Sequence, residues 1–320
     1  MSSYDVRFLL STDFTEDQWG DYQQKFDSVF KKGYSVEYLK RKYTGTCMGY
    51  SFHGVLFCNE SIVGMYTAIP RIYSFFGQKT IVAQGCDAFI LPEHRKDETF
   101  LKQIFEIVVI RIKELNVLYH ISIPNNTAYP YWKNYVGCKD IANLNYYIIP
   151  LRVGNVIGKW RFLNVLSFSF FKILAYIGPY IYHRGHDKEK LIALRRNSAY
   201  FSERFGSEYK IRINPDQSGF VYLNYNEDGV RTAYLIDCFP LNKRNISRAL
   251  RQIIIESGKQ TDVIMFVGKI DACPLYFIKV PKSREPRLQP FIGYCLNDEY
   301  KDRFFDIKNW EVSLANFDNR

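Results

Sequence analysis

The chain has 320 residues, of which 47% are apolar and 24% charged, a composition that excludes disordered, collagen-like and coiled-coil proteins. Its net charge of +10 favours an anionic partner such as a nucleotide, a phosphorylated substrate, a nucleic acid or a membrane surface. Residues 159–212 hold 11 basic and 4 acidic side chains, so much of the excess lies in one segment. Seven scattered cysteines without a CxxC pair fit a reduced, cytoplasmic protein.

Hydrophobic periodicity predicts one mixed α/β unit over residues 1–150. Strands are expected at 5–10, 51–57, 62–69, 79–91, 117–122 and 144–150, and helices at 15–30, 35–43, 99–115 and 126–135. A meander followed by a strand–helix–strand crossover predicts an antiparallel sheet that becomes parallel at its centre.

Residues 151–185 form an apolar and basic connector. Its stretch 162–182 predicts a helix that ends at Gly178-Pro179, because proline disfavours helix at the preceding residue. Lys172 near the middle argues against a membrane-spanning helix. Two interpretations stay open: a helix buried between two domains, or one lying in the plane of a membrane surface. The second follows from an aromatic face flanked by basic residues, namely Lys159, Arg161, Arg184, Lys188 and Lys190.

The second half repeats the first faintly. Residues 38–43 and 200–205 are alike in residue type, and a predicted β-hairpin follows each, with Asn59-Glu60 and Asn226-Glu227 in the turns. A helix at 243–257 and a strand at 263–267 come next. The order of elements predicts a second, related but degenerate α/β domain over 186–320.

Common catalytic and nucleotide-binding motifs do not occur: the sequence has no GxGxxG, Walker loop, HExxH or GxSxG. His183 and His186 have no cluster of cysteine or carboxylate ligands nearby, so we predict surface histidines and no metal site. The connector's aromatic residues form one apolar run instead of alternating with Arg and Lys, which disfavours nucleic-acid binding.

The most informative segment is QGCDAFILPEHRKDETF, residues 84–100. A strand ends at Pro92, and a loop with Arg95 and Lys96 leads into a helix whose first N–H groups could receive a pyrophosphate. Asp87 with Pro92-Glu93-His94-Arg95, the turn Ile123-Pro124-Asn125-Asn126 and the order of elements resemble the GNAT superfamily. These Gcn5-related N-acyltransferases use acetyl-CoA or another acyl-CoA. The resemblance covers 1–150 well and the rest loosely, and the tandem layout looks like bacterial members linked to cell-surface polysaccharide.

The resemblance implies where acyl-CoA would bind and react. The pantetheine arm would run along Phe89, Ile90 and Leu91. The pyrophosphate would lie near Arg95, Lys96, Glu98, Thr99 and Phe100, with Asn125 or Asn126 across the cleft. A backbone N–H near Ile90 or Leu91 would stabilise the oxyanion. Asp87 would be the general base, with Glu93 and His94 as alternatives, and Tyr131 or Tyr135 would protonate the leaving thiolate.

The loop departs from the family pattern Arg/Gln-x-x-Gly-x-Gly/Ala, because Glu98 and Phe100 stand at the small positions. Glycine lets a backbone approach phosphate closely, so the alternative for this segment is a capped helix start that binds nothing.

The resemblance implies an acyl-CoA-dependent N-acyltransferase that acts on an amine of a small molecule or a surface-glycan precursor. We expect a cytoplasmic protein, and a peripheral contact with the inner membrane through residues 160–185 stays open. Two other functions stay open: a Fem-type aminoacyltransferase that uses aminoacyl-tRNA, and a non-catalytic binding or scaffold protein. Binding of acyl-CoA would separate the first function from both others.

Overall fold

The computed structural model describes residues 3–95, 97–182 and 190–317. The residues Lys96, His183, Arg184, His186 and Lys188, which the sequence analysis singled out, lie outside these ranges. The helices are α1 Glu16–Phe30, α2 Val36–Thr44, α3 Phe100–Glu114, α4 Tyr129–Tyr131, α5 Val153–Val156, α6 Leu163–Ile181, α7 Ser198–Arg204, α8 Lys243–Ser257 and α9 Lys301–Phe305. The strands are β1 Tyr4–Leu10, β2 Phe52–Cys58, β3 Ser61–Phe75, β4 Gln78–Ile90, β5 Tyr119–Ser122, β6 Lys139–Asn143, β7 Asn145–Pro150, β8 Ile192–Leu194, β9 Lys210–Ile213, β10 Gly219–Glu227, β11 Val230–Phe239, β12 Val263–Lys269, β13 Ile278–Lys279, β14 Pro290–Cys295 and β15 Val312–Ser313.

These strands form two mixed sheets, which confirms the predicted fold class. The first has the order β1-β2-β3-β4-β5-β14-β6 with β8 beside β3, and the second has β13-β7-β12-β11-β10-β9 with β15 beside β12. In the first sheet the β3–β4 hairpin leads through α3 to β5, which is parallel to β4. In the second sheet the β10–β11 hairpin leads through α8 to β12, which is parallel to β11. The same supersecondary unit therefore occurs in both halves of the chain.

The two sheets exchange one strand each. β14, from late in the chain, lies between β5 and β6 in the first sheet. β7, from early in the chain, pairs with β12 in the second sheet. The expectation that the strand near 144–150 closes the first unit was therefore wrong, because its alternating pattern identifies a strand but not its distant partner. The division into domains at 150 and 186 stays a prediction.

Helices cover both faces of the first sheet. Successive residues of β2 point to opposite faces of the sheet, as Gly54 and His53 show. Gly54 faces α3, where an added Cβ would lie 2.3 Å from the carbonyl oxygen of Ile104, so α3 packs directly on the backbone. His53 points the other way, with its ring 5.1 Å from the ring of Tyr43 in α2. The first sheet therefore has an α3 face and an α1/α2 face.

Helix α6 continues through Pro179 to Ile181, so the prediction that it ends at Gly178-Pro179 was wrong. Gly178 has no Cβ, which relieves part of the clash that proline imposes on the residue before it. Gly178 also lets α6 approach the second half closely, since an added Cβ would lie 2.2 Å from Tyr276 Oη. The helix is not buried between two domains, because only 17% of its most apolar window is buried.

Candidate active site

The central strands β4 and β5 of the first sheet separate partway along their length. They pair only at Val82–Tyr119, Ala83–His120 and Gln84–Ile121, whereas β4 continues to Ile90. From residue 85 to residue 90, β4 thus has no partner strand on its β5 side within the described part of the chain. We call this stretch the open edge.

Backbone groups, rather than side chains, face out along the open edge. Leu91 N–H donates to Val63 O at 2.9 Å, so Leu91 and Phe89 hydrogen-bond with β3 while Ala88 and Ile90 direct their N–H and C=O groups away from it. The side chains of the predicted pantetheine contacts Phe89, Ile90 and Leu91 are buried, and the Phe89 ring stacks on Tyr22. A ligand could reach these residues only through the backbone.

A β-bulge at the start of the open edge turns Asp87 toward α2. Between Tyr66–Ala88 and Ala68–Gly85 the register shifts, so Thr67 opposes two residues of β4, and such bulges redirect side chains. Asp87 Oδ2 accepts hydrogen bonds from Lys42 Nζ at 2.7 Å and Tyr43 Oη at 2.7 Å.

Two buried tyrosines extend the Asp87 group, since Tyr22 Oη lies 2.8 Å from Tyr43 Oη. Burial, followed by the negative charge of Asp87, raises the pKa of both tyrosines well above the ordinary value. They stay protonated, so Tyr43 acts as a donor to Asp87. The predicted general base therefore lies beside the open edge, where an ammonium group and a phenol already bind it.

A second polar pair, which the sequence analysis missed, lies on the α3 face. Tyr66 Oη of β3 hydrogen-bonds with His120 Nε2 of β5, and both side chains are buried. Burial lowers the pKa of His120 to about 3 and raises the pKa of Tyr66, so the pair is neutral. It lies over Gly85, where an added Cβ would be 2.6 Å from Tyr66 Oη. The pair thus marks the point where β4 and β5 begin to separate.

The loop after β4 uses its polar groups internally. Arg95 Nε donates to Ile90 O at 2.8 Å, which covers one carbonyl of the open edge. Thr99 N–H donates to Asp97 Oδ1 at 2.8 Å, and the hydrogen bonds from Thr99 lower the pKa of Asp97. Phe100 is buried against Tyr4. A carboxylate of the chain itself therefore occupies one N–H that was expected to meet pyrophosphate.

The predicted tyrosines meet the start of α3. Tyr131 Oη donates to Glu98 O, and the Tyr135 ring stacks on Tyr131 at 5.2 Å. Asn125 Oδ1 accepts from Ala128 N–H at 2.8 Å and so caps the turn before α4, while Asn126 is exposed. The structure brings Glu98, Tyr131 and Tyr135 together, and it places Asp87 on the opposite face of the sheet.

The second sheet has a similar separation, but the chain itself fills it. β11 and β12 pair only from Thr232–Val263 to Leu235–Phe266, and β15 pairs with the end of β12. Beside this point, Arg196 donates to Asp237 at 2.7 and 2.8 Å and to Glu311 at 2.6 Å. The first sheet is therefore the better candidate for a ligand site.

The comparisons with known proteins identify the fold. No protein-family model and no curated protein matches the sequence. A GCN5-related N-acetyltransferase from Kribbella flavida matches 92% of this chain and 71% of its own, with a TM-score of 0.61 and 12% identity. A GCN5-related N-acetyltransferase from Anabaena variabilis matches 91% and 73%, with a TM-score of 0.58 and 13% identity. N-myristoyltransferase from Saccharomyces cerevisiae, solved with bound myristoyl-CoA, matches 92% and 79%, with a TM-score of 0.51 and 10% identity. The chain thus shares the fold of these proteins, as the resemblance predicted.

Proposed function

We propose that the protein is an acyl-CoA-dependent N-acyltransferase. The open edge of β4 carries this proposal, because the N–H and C=O groups of Ala88 and the N–H of Ile90 face the side on which β5 no longer pairs with β4. An extended ligand with amide groups, such as pantetheine, can bind such an edge as an added strand. The solved structures that share the fold include an enzyme described with bound myristoyl-CoA, which supports the same class of co-substrate.

The two faces of the sheet suggest that the general base and the general acid act from opposite sides of the open edge. The acceptor amine would bind on the α1/α2 face, where the Asp87 carboxylate could hold its ammonium form and then take its proton. The neutral amine would attack the thioester carbonyl, so that a C–N bond forms and the C–S bond breaks. The departing thiolate would take a proton from Tyr135 or Tyr131, the acids that the resemblance implies, and the second proton lost by the amine nitrogen would restore that tyrosine to its phenol form. Lys42, held at 2.7 Å from Asp87, would position that carboxylate.

The loop also supports a second candidate, a binding protein without catalysis. Asp97 occupies Thr99 N–H, and a carboxylate there disfavours a second anion. For the enzyme, we propose that Arg95 and Lys96 hold the pyrophosphate while Asp97 gives up this hydrogen bond.

The acceptor and the location belong to the same proposal. We propose an amine of a glycan precursor as acceptor, and a peripheral contact of the cytoplasmic protein with the inner membrane through 160–185. The support for the membrane contact is that the outer face of α6 exposes large apolar residues, among them Val165, Leu166, Phe170 and Ile173.

Titration calorimetry with acetyl-CoA, a long-chain acyl-CoA and free CoA tests the enzyme. Arg95→Ala should weaken binding roughly 10- to 100-fold, because it removes a charge-assisted phosphate contact. Arg303→Ala, an exposed arginine of α9, is the matched control and should bind like the wild type. If none of the three ligands binds, the binding-protein candidate replaces the enzyme, and binding of aminoacyl-tRNA alone would establish the Fem-type alternative.

A further inference from the structure

Helix α6 has its apolar side turned outward. Its inner stripe, Phe171, Ala175 and Gly178, is buried against α8 and the second sheet. On the outer side, Phe170 and Ile173 are 58% and 60% exposed, and Lys172 is the one charged residue of the helix. A helix on a water-exposed surface normally shows the reverse pattern. By length and composition this helix could cross a membrane, yet its inner stripe, which covers roughly 11 Å of the helix axis, packs against the protein.

A basic groove lies beside the C-terminal end of α6. This cavity of about 820 Å³ is lined by Pro179 and Tyr180 of α6, by the β9–β10 turn and by α8. Its charged lining residues are Arg212, Arg244, Arg248, Arg251 and Asp216. A second cavity of about 610 Å³ on the outer face of α6 shares Tyr180 and Arg251 with it and includes Lys172. The basic groove therefore opens directly onto the apolar face.

Two of the four arginines lack a carboxylate partner among the described residues. Arg212 binds Glu256 through two hydrogen bonds of 2.8 and 3.0 Å, and Arg248 lies 3.1 Å from Asp216. The Nε atoms of Arg244 and Arg251 are buried, and neither has a hydrogen-bond partner within the described ranges. Positions 244, 248 and 251 lie on one side of α8, since they are four and three residues apart.

Aromatic rings hold one of these arginines at the entrance of the groove. The Arg251 guanidinium lies 4.9 Å from the Tyr176 ring centroid and 5.9 Å from that of Tyr180. Both tyrosines are exposed residues of α6. Tyrosine is typical of the membrane–water interface, where one end of the ring is apolar and the other is wet. Arg251 thus lies at the border between the apolar face and the basic groove.

We propose that the groove binds the phosphate of an anionic lipid headgroup, while the outer face of α6 contacts the acyl chains of the same bilayer. This inference rests on the membrane contact proposed above and adds its headgroup chemistry. Guanidinium groups suit phosphate because they donate in a planar fork. The apolar face next to the groove selects a lipid over a free phosphate, because a soluble ligand would leave that face in water.

Vesicle sedimentation tests the inference. The full chain is mixed with vesicles of phosphatidylcholine alone, or of phosphatidylcholine with one third phosphatidylglycerol. We expect the anionic vesicles to bind more tightly. The double variant Arg244→Gln/Arg251→Gln should lose about 30-fold in affinity for them, since each basic residue near the surface contributes about fivefold. Affinity for neutral vesicles should not change. Circular dichroism and a thermal melt show whether the variant is folded.

Two further variants separate the contribution of the groove to vesicle binding from those of the net charge and of the apolar face of α6. Arg284→Gln/Arg303→Gln removes the same charge from exposed positions outside the groove and should retain most of the binding. An equal loss would overturn the headgroup site in favour of general attraction by net charge. Phe170→Ser/Ile173→Ser should weaken binding to both kinds of vesicle.

Three other outcomes overturn the inference. Equal binding to neutral and anionic vesicles would refute the headgroup site but retain the membrane contact. Absence of binding to either vesicle would refute both. Stabilisation by inorganic phosphate in a thermal melt, without vesicle binding, would assign the groove to a soluble anion. None of these results depends on acyl-CoA, so calorimetry tests the enzyme independently.

Discussion

Mutation of the hydrogen-bonded pair Tyr66 and His120 gives the sharpest test of the point where β4 and β5 begin to separate. Tyr66→Phe removes only the hydroxyl and leaves His120 Nε2 buried without its partner. Such a loss costs about 1–3 kcal/mol of unfolding free energy. His120→Leu leaves the Tyr66 hydroxyl unpaired instead, at a similar cost. Removing both groups leaves no unsatisfied atom of this pair, so the double variant should be at least as stable as either single variant.

Urea unfolding of the four proteins measures this coupling as a double-mutant cycle. The expected coupling energy is at least about 1–3 kcal/mol, which is the cost of one buried orphan group. Tyr73→Phe is the control, because it also removes a buried hydroxyl, which accepts from Asn316 at 2.9 Å in a different core cluster. Its cost should add to that of His120→Leu. If the stability costs of Tyr66→Phe and His120→Leu also add, these two side chains of β3 and β5 do not form the hydrogen bond.

Three further predictions concern stability. Arg196→Met should cost about 3–5 kcal/mol, because it leaves the buried carboxylates of Asp237 and Glu311 without their cation; Arg7→Met, at an exposed pair, should hardly move the urea midpoint. Phe171→Ala should cost about 3–5 kcal/mol, whereas Phe170→Ala, one residue away and exposed, should stay within about 0.5 kcal/mol. Burial lowers the pKa of His53 from 6.5 to about 3, so between these values the unfolded chain binds the proton and stability falls as pH falls. His53→Gln should therefore flatten the decline by about 1.4 kcal/mol per pH unit, and parallel pH profiles would contradict this.

Local signals predicted the elements well where each element depends on its own residues. The helix expected at 243–257 is α8, Lys243–Ser257, because its apolar period coincides with a cap, the Asn242 side chain accepting from Asn245 N–H. The helix at 15–30 begins with a reciprocal capping box between Thr15 and Gln18. These features lie within a few residues of one another, so the sequence alone shows them.

Features that depend on distant pairing could not be predicted. Tyr66 and His120 are 54 residues apart, and they meet only because the parallel register places His120 opposite Ala83. In the sequence, Tyr66 is one of 25 tyrosines, and His120 lies with one other polar residue, Ser122, in the apolar run 117–123. The loop positions Arg95 and Glu98 were expected from a resemblance, but the internal bond from Thr99 to Asp97 was not. While that bond is made, Thr99 N–H is not available to an anion.

The two sheets differ at the point where their parallel strands separate. In each sheet the register of the antiparallel hairpin shifts just beyond the end of the parallel pairing. In β4 the shifted residues include Asp87, and in β11 the shift comes directly before Asp237. Asp237 is fully buried and bound by Arg196, and β15 fills the adjacent edge, so that end of the second sheet has become core. Asp87 keeps some exposure, 17% of its side chain, and no strand of the described ranges pairs with the edge beside it. A carboxylate that retains access to solvent can be contacted by a ligand, whereas a fully buried carboxylate bound by a buried arginine cannot.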